Sequence, residues 1–358
     1  MKKDVRPKDF NPDQVARTDV RIGHVDQKTV DRFVVHFRSN GCLWDKQAGG
    51  CTMCGFWSET AQFKRPITHQ NFVNQFVDVL QTHELQKYPV LSLYNAGSFL
   101  AEQEIPFSAV EEIMGLVARK LPDLKRVIIE SKVEYVDKEK LRTLKNILGN
   151  QTQLALAIGF ESQDDTVRNL CINKGCSKKL FENCIEFTRS DGLHSIVYLI
   201  LKPPFLTERE AIDEAVASTK YVTRVGVSEV NYETMTVESD TFVNLLYARG
   251  QYKLPWLWSV ADILKQVRPV ATPFLTPFRY IVDSIDTPRN CPLCTSSMVE
   301  RIYQMYCADF DVSHFENVTC PCKGRWQEEL DRDDSRSIPE RVLNVLALLR
   351  EDPRNFVR

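Results

Sequence analysis

The sequence has no apolar run long enough to cross a bilayer, which takes about 20 residues, so no membrane role is expected. Its first residues, MKKDVRPKDFNPDQ, carry basic side chains but no apolar h-region. No secretory signal is therefore expected, and the expected location is the cytoplasm, where thiols stay reduced. There is no net basic charge either. Lys and Arg number 46 against 48 Asp and Glu, a formal charge of -2, so no global field advertises nucleic acid, although a local basic patch is still open. No repeat or low-complexity tract is visible. What the chain does have is cysteine, 11 residues of it. In a reducing compartment that number calls for metal rather than disulfides.

The cysteines fall into three groups. Cys42, Cys51 and Cys54 form C-x8-C-x2-C within HFRSNGCLWDKQAGGCTMCGFW. Four thiolates would close a zinc site. Three, with Gly49 and Gly50 letting the chain turn back, leave a position open; the bland alternative is a zinc knuckle completed by His36 or His69. Cys171, Cys176 and Cys184 follow no strong spacing and are expected to be buried small hydrophobes. In the third group, CPLC (Cys291, Cys294) and CPC (Cys320, Cys322) are two stiffened pairs that can converge on one tetrahedral four-thiolate zinc. Cys307 could replace a member. A second iron–sulfur cluster and unliganded thiols are the alternatives. Arg289, Arg301, Lys323, Arg325 and Trp326 nearby are compatible with RNA contact.

Between the first and last groups, β-branched runs alternate with amphipathic stretches. RFVVHF, PVLSLYNAG, KRVIIES, QLALAIGFES, HSIVYLILKPP and VGVSEVNYE read as strands, with helices between them. Asp137 and the Thr207/Glu210 pair are N-terminal caps, and Gly192 ends a helix. Apolar strands in a βα rhythm predict an α/β fold, a partial or full parallel β/α barrel. The chemistry of such barrels sits at the carboxyl ends of the strands, which is where the first cysteine loop begins. The expected division is an N-terminal extension (1–30), a barrel core (31–270) and a small cysteine-rich C-terminal region (271–358), with the boundary in the proline-rich RPVATPFLTPFRY. YIVDSID is a further strand candidate for the core. SIPERVLNVLALLRED is a terminal helix whose apolar stripe should pack on the domain.

A three-cysteine loop after the first strand of such a barrel resembles the radical SAM superfamily. The usual signature there is C-x3-C-x2-C with an aromatic before the last cysteine. Here the first gap is eight residues and Met53 replaces the aromatic. An expanded gap ending in GGCTMCGF is similar instead to the archaeosine-forming radical SAM proteins of tRNA modification. So are YNAGSFL followed by EIP, then IESKVEYV, IGFES, INKG and LKPPFLTEREAI, in that order from about Phe33 to Ser218.

The resemblance implies a [4Fe–4S] cluster on Cys42, Cys51 and Cys54, with S-adenosylmethionine on the open iron. It implies cofactor contacts from Phe56, Asn95, Gly97, Ser98, Glu130, Ser131, Gly159 and Glu161. Lys174 and Lys202, cationic at loop positions, are candidates to hold a substrate carboxylate or phosphate. YNAGSF lacks the acidic residue seen in many relatives, so backbone carbonyls and Ser98 are expected to stand in for it. The bland readings are a tight turn for YNAGSF, ion pairing for the carboxylates and solvated loops for the lysines. The implied reaction is radical cleavage of a C–N bond in a lysine-bearing 7-deazaguanine of tRNA, giving archaeosine. The implied partners are tRNA, a tRNA deazaguanine lysine-transferase and an electron donor. A small metabolite or peptide substrate is the alternative within radical chemistry. A zinc-stabilised RNA-binding protein without catalysis is the alternative outside it.

Overall fold

The computed structural model describes residues 10–25, 28–56, 66–277 and 284–351. Its frame is one eight-stranded sheet. The strands are β1 (Arg17–Val25), β2 (Lys28–His36), β3 (Val90–Tyr94), β4 (Arg126–Glu130), β5 (Gln153–Glu161), β6 (His194–Leu201), β7 (Glu229–Thr234) and, after β8 (Val237–Glu238), β9 (Phe274–Leu275). The order across the sheet is β1-β2-β3-β4-β5-β6-β7-β9. All neighbours from β2 onward are parallel, and β1 pairs antiparallel with β2 along its length. The expected α/β class and partial barrel are what the chain adopts. The six strands read from the sequence are β2 to β7.

Three details depart from the reading. Arg17–Val25 lies within the segment set apart as an extension, yet it is an edge strand. Phe274–Leu275 lies in the proline-rich boundary, yet it extends the sheet. Ser284–Asp286, the end of the YIVDSID candidate, forms β10 and pairs with β8 in a separate two-stranded sheet. The first four residues of that candidate lie outside the described residues.

Helices fill the connections: α1 (Leu43–Ala48), α2 (His69–Thr82), α3 (Phe107–Lys120), α4 (Lys138–Leu148), α5 (Lys178–Ser190), α6 (Glu208–Val225), α7 (Phe242–Ala248) and α8 (Leu257–Val267). Beyond β10 come α9 (Thr295–Glu300), α10 (Cys322–Leu330) and α11 (Ile338–Glu351). The caps read from the sequence are present. Asp137 accepts from the Lys140 amide at 2.9 Å, and Thr207 and Glu210 close a reciprocal capping box. No described helix is long and apolar enough to cross a membrane.

Strand alternation divides the sheet into two faces. Outward residues such as Val35, Leu93, Ile129, Leu156 and Leu199 enter the main core under the helices. Inward residues form a smaller, separate cluster of Val34, Val90, Ile128, Ala155, Ala157 and Ile196. The small residues of β5 thin this lining and leave room inside the curl. The edges of the sheet approach each other: the His24 ring of β1 lies 5.2 Å from Phe274 of β9, and Arg126 of β4 donates to the His24 carbonyl at 3.0 Å.

One aromatic contact locks a crossover helix to the sheet. Phe181 of α5 is fully buried and stacks on Phe160 of β5 with centroids 3.9 Å apart. Phe181→Ala should cost about 3–5 kcal/mol, the scale of a buried aromatic truncation. Urea denaturation followed by circular dichroism measures it.

Candidate active site

The cysteine loop leaves β2 at the carboxyl end of the sheet. Cys42 precedes α1, Gly49 and Gly50 turn the chain back with φ of 80° and 74°, and Cys51 and Cys54 follow. Polar groups pin the loop from three sides. On the first, Glu104 accepts from the Leu43 amide at 2.8 Å, the Ser98 amide at 2.6 Å and the Asn95 side chain at 3.1 Å. On the second, Glu238 of β8 accepts from the Gly55 amide at 2.7 Å. On the third, the Asn173 side chain donates to the carbonyls of Ala48 (3.1 Å) and Gly50 (2.7 Å), while its own carbonyl accepts from Trp44 Nε1 at 2.7 Å. Gly97 is required by close approach. A methyl group there would overlap the Glu104 carboxylate and come within 3.3 Å of the Cys42 Cα.

The three thiols open on one cavity of about 250 Å³ at the barrel mouth. Phe56, Gly97, Ser98, Glu130, Ser131, Gly159, Glu161 and Lys174 line it with them. Asn95 lies behind the wall. It is fully buried, its amide donates to Glu130 at 3.1 Å, and its carbonyl accepts from Ser39 at 3.0 Å. Lys202 stands elsewhere. Its ammonium is paired with buried Glu208 under α6, which also accepts from the Trp256 amide at 3.0 Å. His36 lines the cavity, but His69 bonds Ser108 and Glu112, each at 2.8 Å, away from the thiols.

The electrostatics follow from burial. Burial pushes the Cys42 thiol up to about 11, with the Glu104 charge adding to it. Burial also raises Cys54 well above its ordinary value, followed by Glu238. Cys51 is raised by burial too, against the pull of Lys174. Lys174 is bound to Glu161 at 2.8 Å; burial works against its charge, but Glu161 holds the ammonium above its ordinary range. Glu130 is pushed up to about 7 by burial, with the Asn95 amide opposing.

Several cavity residues were not singled out from the sequence. Lys132 lies 3.8 Å over the Trp44 ring and donates to the Lys174 carbonyl at 2.7 Å. Tyr94 and Tyr198 meet hydroxyl to hydroxyl at 2.9 Å. Arg32 and Glu233 also line the cavity. Inward alternation was the available signal: Arg32 shares its face with Val34 and His36, and Glu233 lies one residue before the end of β7.

The second cysteine site lies outside the barrel. Cys291, Cys294, Cys320 and Cys322 bring their sulfurs within 4.8 Å of one another, the only group of potential metal ligands gathered this tightly among the described residues. Sulfur separations are 3.8 Å (Cys291–Cys294), 3.4 Å (Cys291–Cys320) and 3.6 Å (Cys294–Cys322). Tetrahedral Zn–S bonds of ~2.3 Å would set them about 3.8 Å apart. Trp258 Nε1 donates to Cys322 Sγ at 3.3 Å. Cys307 is separate, buried with its sulfur 3.9 Å from the Leu275 carbonyl. Cys171, Cys176 and Cys184 are buried.

No family model matches the sequence. The chain is 31% identical over 321 residues to the archaeosine synthase subunit beta of Methanosarcina acetivorans, covering 87% of this chain and 88% of that one. It is 27% identical over 292 residues to the protein of the same name from Thermococcus kodakarensis, covering 80% and 88%. Among solved structures, a radical SAM methyltransferase from Sphaerobacter thermophilus aligns at 13% identity with a TM-score of 0.47, over 74% of each chain. The archaeal Elp3 of Methanocaldococcus infernus aligns at 12% identity with a TM-score of 0.48, over 66% of this chain and 58% of that one.

Two outcomes are expected. Gly97→Ala should displace the Glu104 carboxylate from the Ser98 amide and destabilise the fold by about 1–3 kcal/mol, the scale of an orphaned buried polar group; urea midpoints read it. Glu130 contributes the second. Its folded pKa of about 7 lies above the ordinary 4.5, so the folded state holds the proton longer. Its contribution to stability is complete below the lower value and is lost as pH rises through the upper one. Thermal unfolding of the metal-free protein across that window should show a fall that Glu130→Gln reduces.

Proposed function

The chain belongs to the archaeosine synthase subunit beta family, and from that premise we propose that it is a radical S-adenosylmethionine enzyme of tRNA modification. Its reaction is cleavage of the C–N bond that joins a lysine-derived arm to a 7-deazaguanine of tRNA, leaving the amidine of archaeosine. The observation that carries the reading is the loop of Cys42, Cys51 and Cys54, whose thiols face one cavity at the carboxyl ends of parallel strands.

The residues suit the group this chemistry requires. The three loop thiols are not gathered for a single ion as the C-terminal four are, and a cubane takes one thiolate per iron. A [4Fe–4S] cluster bound there leaves one iron for the amino and carboxylate groups of S-adenosylmethionine, and its one-electron reduction supplies a 5'-deoxyadenosyl radical for hydrogen abstraction. The chain's own part is to hold, orient and seal. Phe56, Gly97 and Ser98 border the loop, and Glu130, Ser131, Gly159 and Glu161 form the wall at the ends of β4 and β5. Asn95 supports that wall from behind through Glu130 and Glu104. Lys174, fixed by Glu161, keeps a cation beside Cys51 and is available to a substrate anion. Lys202, bound to Glu208, has no part in the site.

The four C-terminal thiols we assign to a structural zinc, supported by their near-tetrahedral spacing. The partners that follow are tRNA, a lysine-transferring companion enzyme and a donor of the reducing electron.

Anaerobic reconstitution tests the assignment. The expected content is about four irons and one zinc per chain. Cys51→Ala should lose the iron and keep the zinc; Cys294→Ser should lose the zinc and lower the unfolding temperature. With reductant, S-adenosylmethionine and tRNA bearing the lysine adduct, 5'-deoxyadenosine and archaeosine should form together. Failure of the reduced protein to cleave S-adenosylmethionine would sink the enzymatic reading; cleavage driven only by small metabolites or peptides would sink the tRNA one.

A further inference from the structure

Arg32 is a buried cation that the barrel leaves partly unbonded. It sits on the inner face of β2, 4% exposed, and lines the cavity. Its Nε meets no acceptor among the described residues. The chain makes room for it: a side chain at Gly23 on β1 would approach the Arg32 Cβ to 2.9 Å, so the arginine stem lies over a bare glycine. The nearest acids do not neutralise it by direct contact. Glu229 faces Arg126 at 3.6 Å and His194 at 3.3 Å, and Glu233 on β7 lines the cavity with Arg32. Burial works against its charge, and Tyr94, Tyr198, Glu229 and Glu233 hold the charge from a distance; the unbonded Nε still leaves the fork open, and a guanidinium fork matches a carboxylate in two hydrogen bonds.

The depth of Arg32 matters as well. It pairs with Val90, whereas the strand ends where His36 pairs with Tyr94. Four residues along a strand is roughly 13 Å, so Arg32 is rooted well below the cysteine loop. A ligand reaching it must span the cavity.

We propose that Arg32 receives the α-carboxylate of the substrate's lysine-derived arm. This rests on the tRNA lysine adduct named above as substrate. The cavity then offers a cation on β2, below the thiols, that suits the carboxylate of an amino-acid end. The flexible four-carbon stem of the lysine leads from that end toward the thiols, which places the C–N bond nearer the mouth than the carboxylate.

The test compares two ligands on the reconstituted full chain by calorimetry: Nε-acetimidoyl-L-lysine and N-acetimidoylcadaverine, the same arm without its carboxylate. The wild type should bind the first about 10- to 100-fold tighter, the scale of a charge-assisted hydrogen bond. Arg32→Gln should close that gap and Arg32→Lys should narrow it, with iron content and S-adenosylhomocysteine binding unchanged. The proposal is overturned if the wild type does not discriminate or does not bind the amino acid. It is also overturned if Arg32→Gln discriminates as before, or if S-adenosylhomocysteine binding falls in parallel. Should Arg32→Gln not fold, the Arg32→Lys comparison decides alone. Turnover of adduct-bearing tRNA is assayed separately. Absent turnover with an Arg32-dependent preference would refute the functional reading and leave the carboxylate receptor standing.

Discussion

The site depends on one buried carboxylate. Glu104 has no counter-ion among its direct contacts; it is held by two backbone amides and one side-chain amide. Those three donors come from the start of the cysteine loop and from the turn after β3. A single acid therefore sets the position of Cys42 relative to Gly97 and Ser98. Burial raises its pKa, and the Leu43 and Ser98 amides oppose that rise. Gly97 is glycine because the carboxylate occupies the space a side chain would need. Two features far apart in the sequence, the expanded cysteine gap and the YNAGSF turn, thus meet on one residue that neither contains.

The sheet supplies the rest by alternation. Outward positions are aliphatic and pack under helices, so they stabilise the barrel. Inward positions near the strand ends are polar or small: His36 and Tyr94, then Glu130, then Gly159, then Tyr198 and Glu233. The same periodicity that buries one face therefore exposes chemistry on the other. Burial makes that inner face electrostatically strong. His36 is pushed well below its ordinary range by burial and by Arg21, so it is neutral, accepts from Arg21 at 3.3 Å, and leaves the cationic character of this wall to the arginines.

Much of this was legible in the chain. The β2 to β7 rhythm, the helix caps, the placement of the cysteine loop at a strand end and the convergence of CPLC with CPC all follow from local patterns that report on single elements. The parts that were not legible depend on contacts distant in sequence. The β1 strand, RTDVRIGHV, is polar and carries a glycine; it is a strand because it pairs with β2 and curls over toward Phe274. Glu104 and Glu238 look like loop and edge acids until the loop folds onto them. Lys202 resembles Lys174 in sequence, each a loop lysine, yet Glu208 faces one and Glu161 the other. Only the second of those pairs lies on the inner side of the barrel.

The cysteines show how one residue type is sorted by its surroundings. Cys171, Cys184 and Cys307 are buried among apolar neighbours, and burial drives each thiol up to about 12, where it is an inert hydrophobe. The C-terminal four face one another closely enough to satisfy a single tetrahedral ion, so their site closes on itself. The loop three face outward onto a cavity instead. Their fixing groups lie behind the backbone rather than at the sulfurs, and Lys132 and Lys174 stand beside Cys51 as the nearest cations. A site held from behind in this way keeps its geometry while leaving its front face to a ligand. That arrangement sets three thiols open to a ligand apart from four that close on one another.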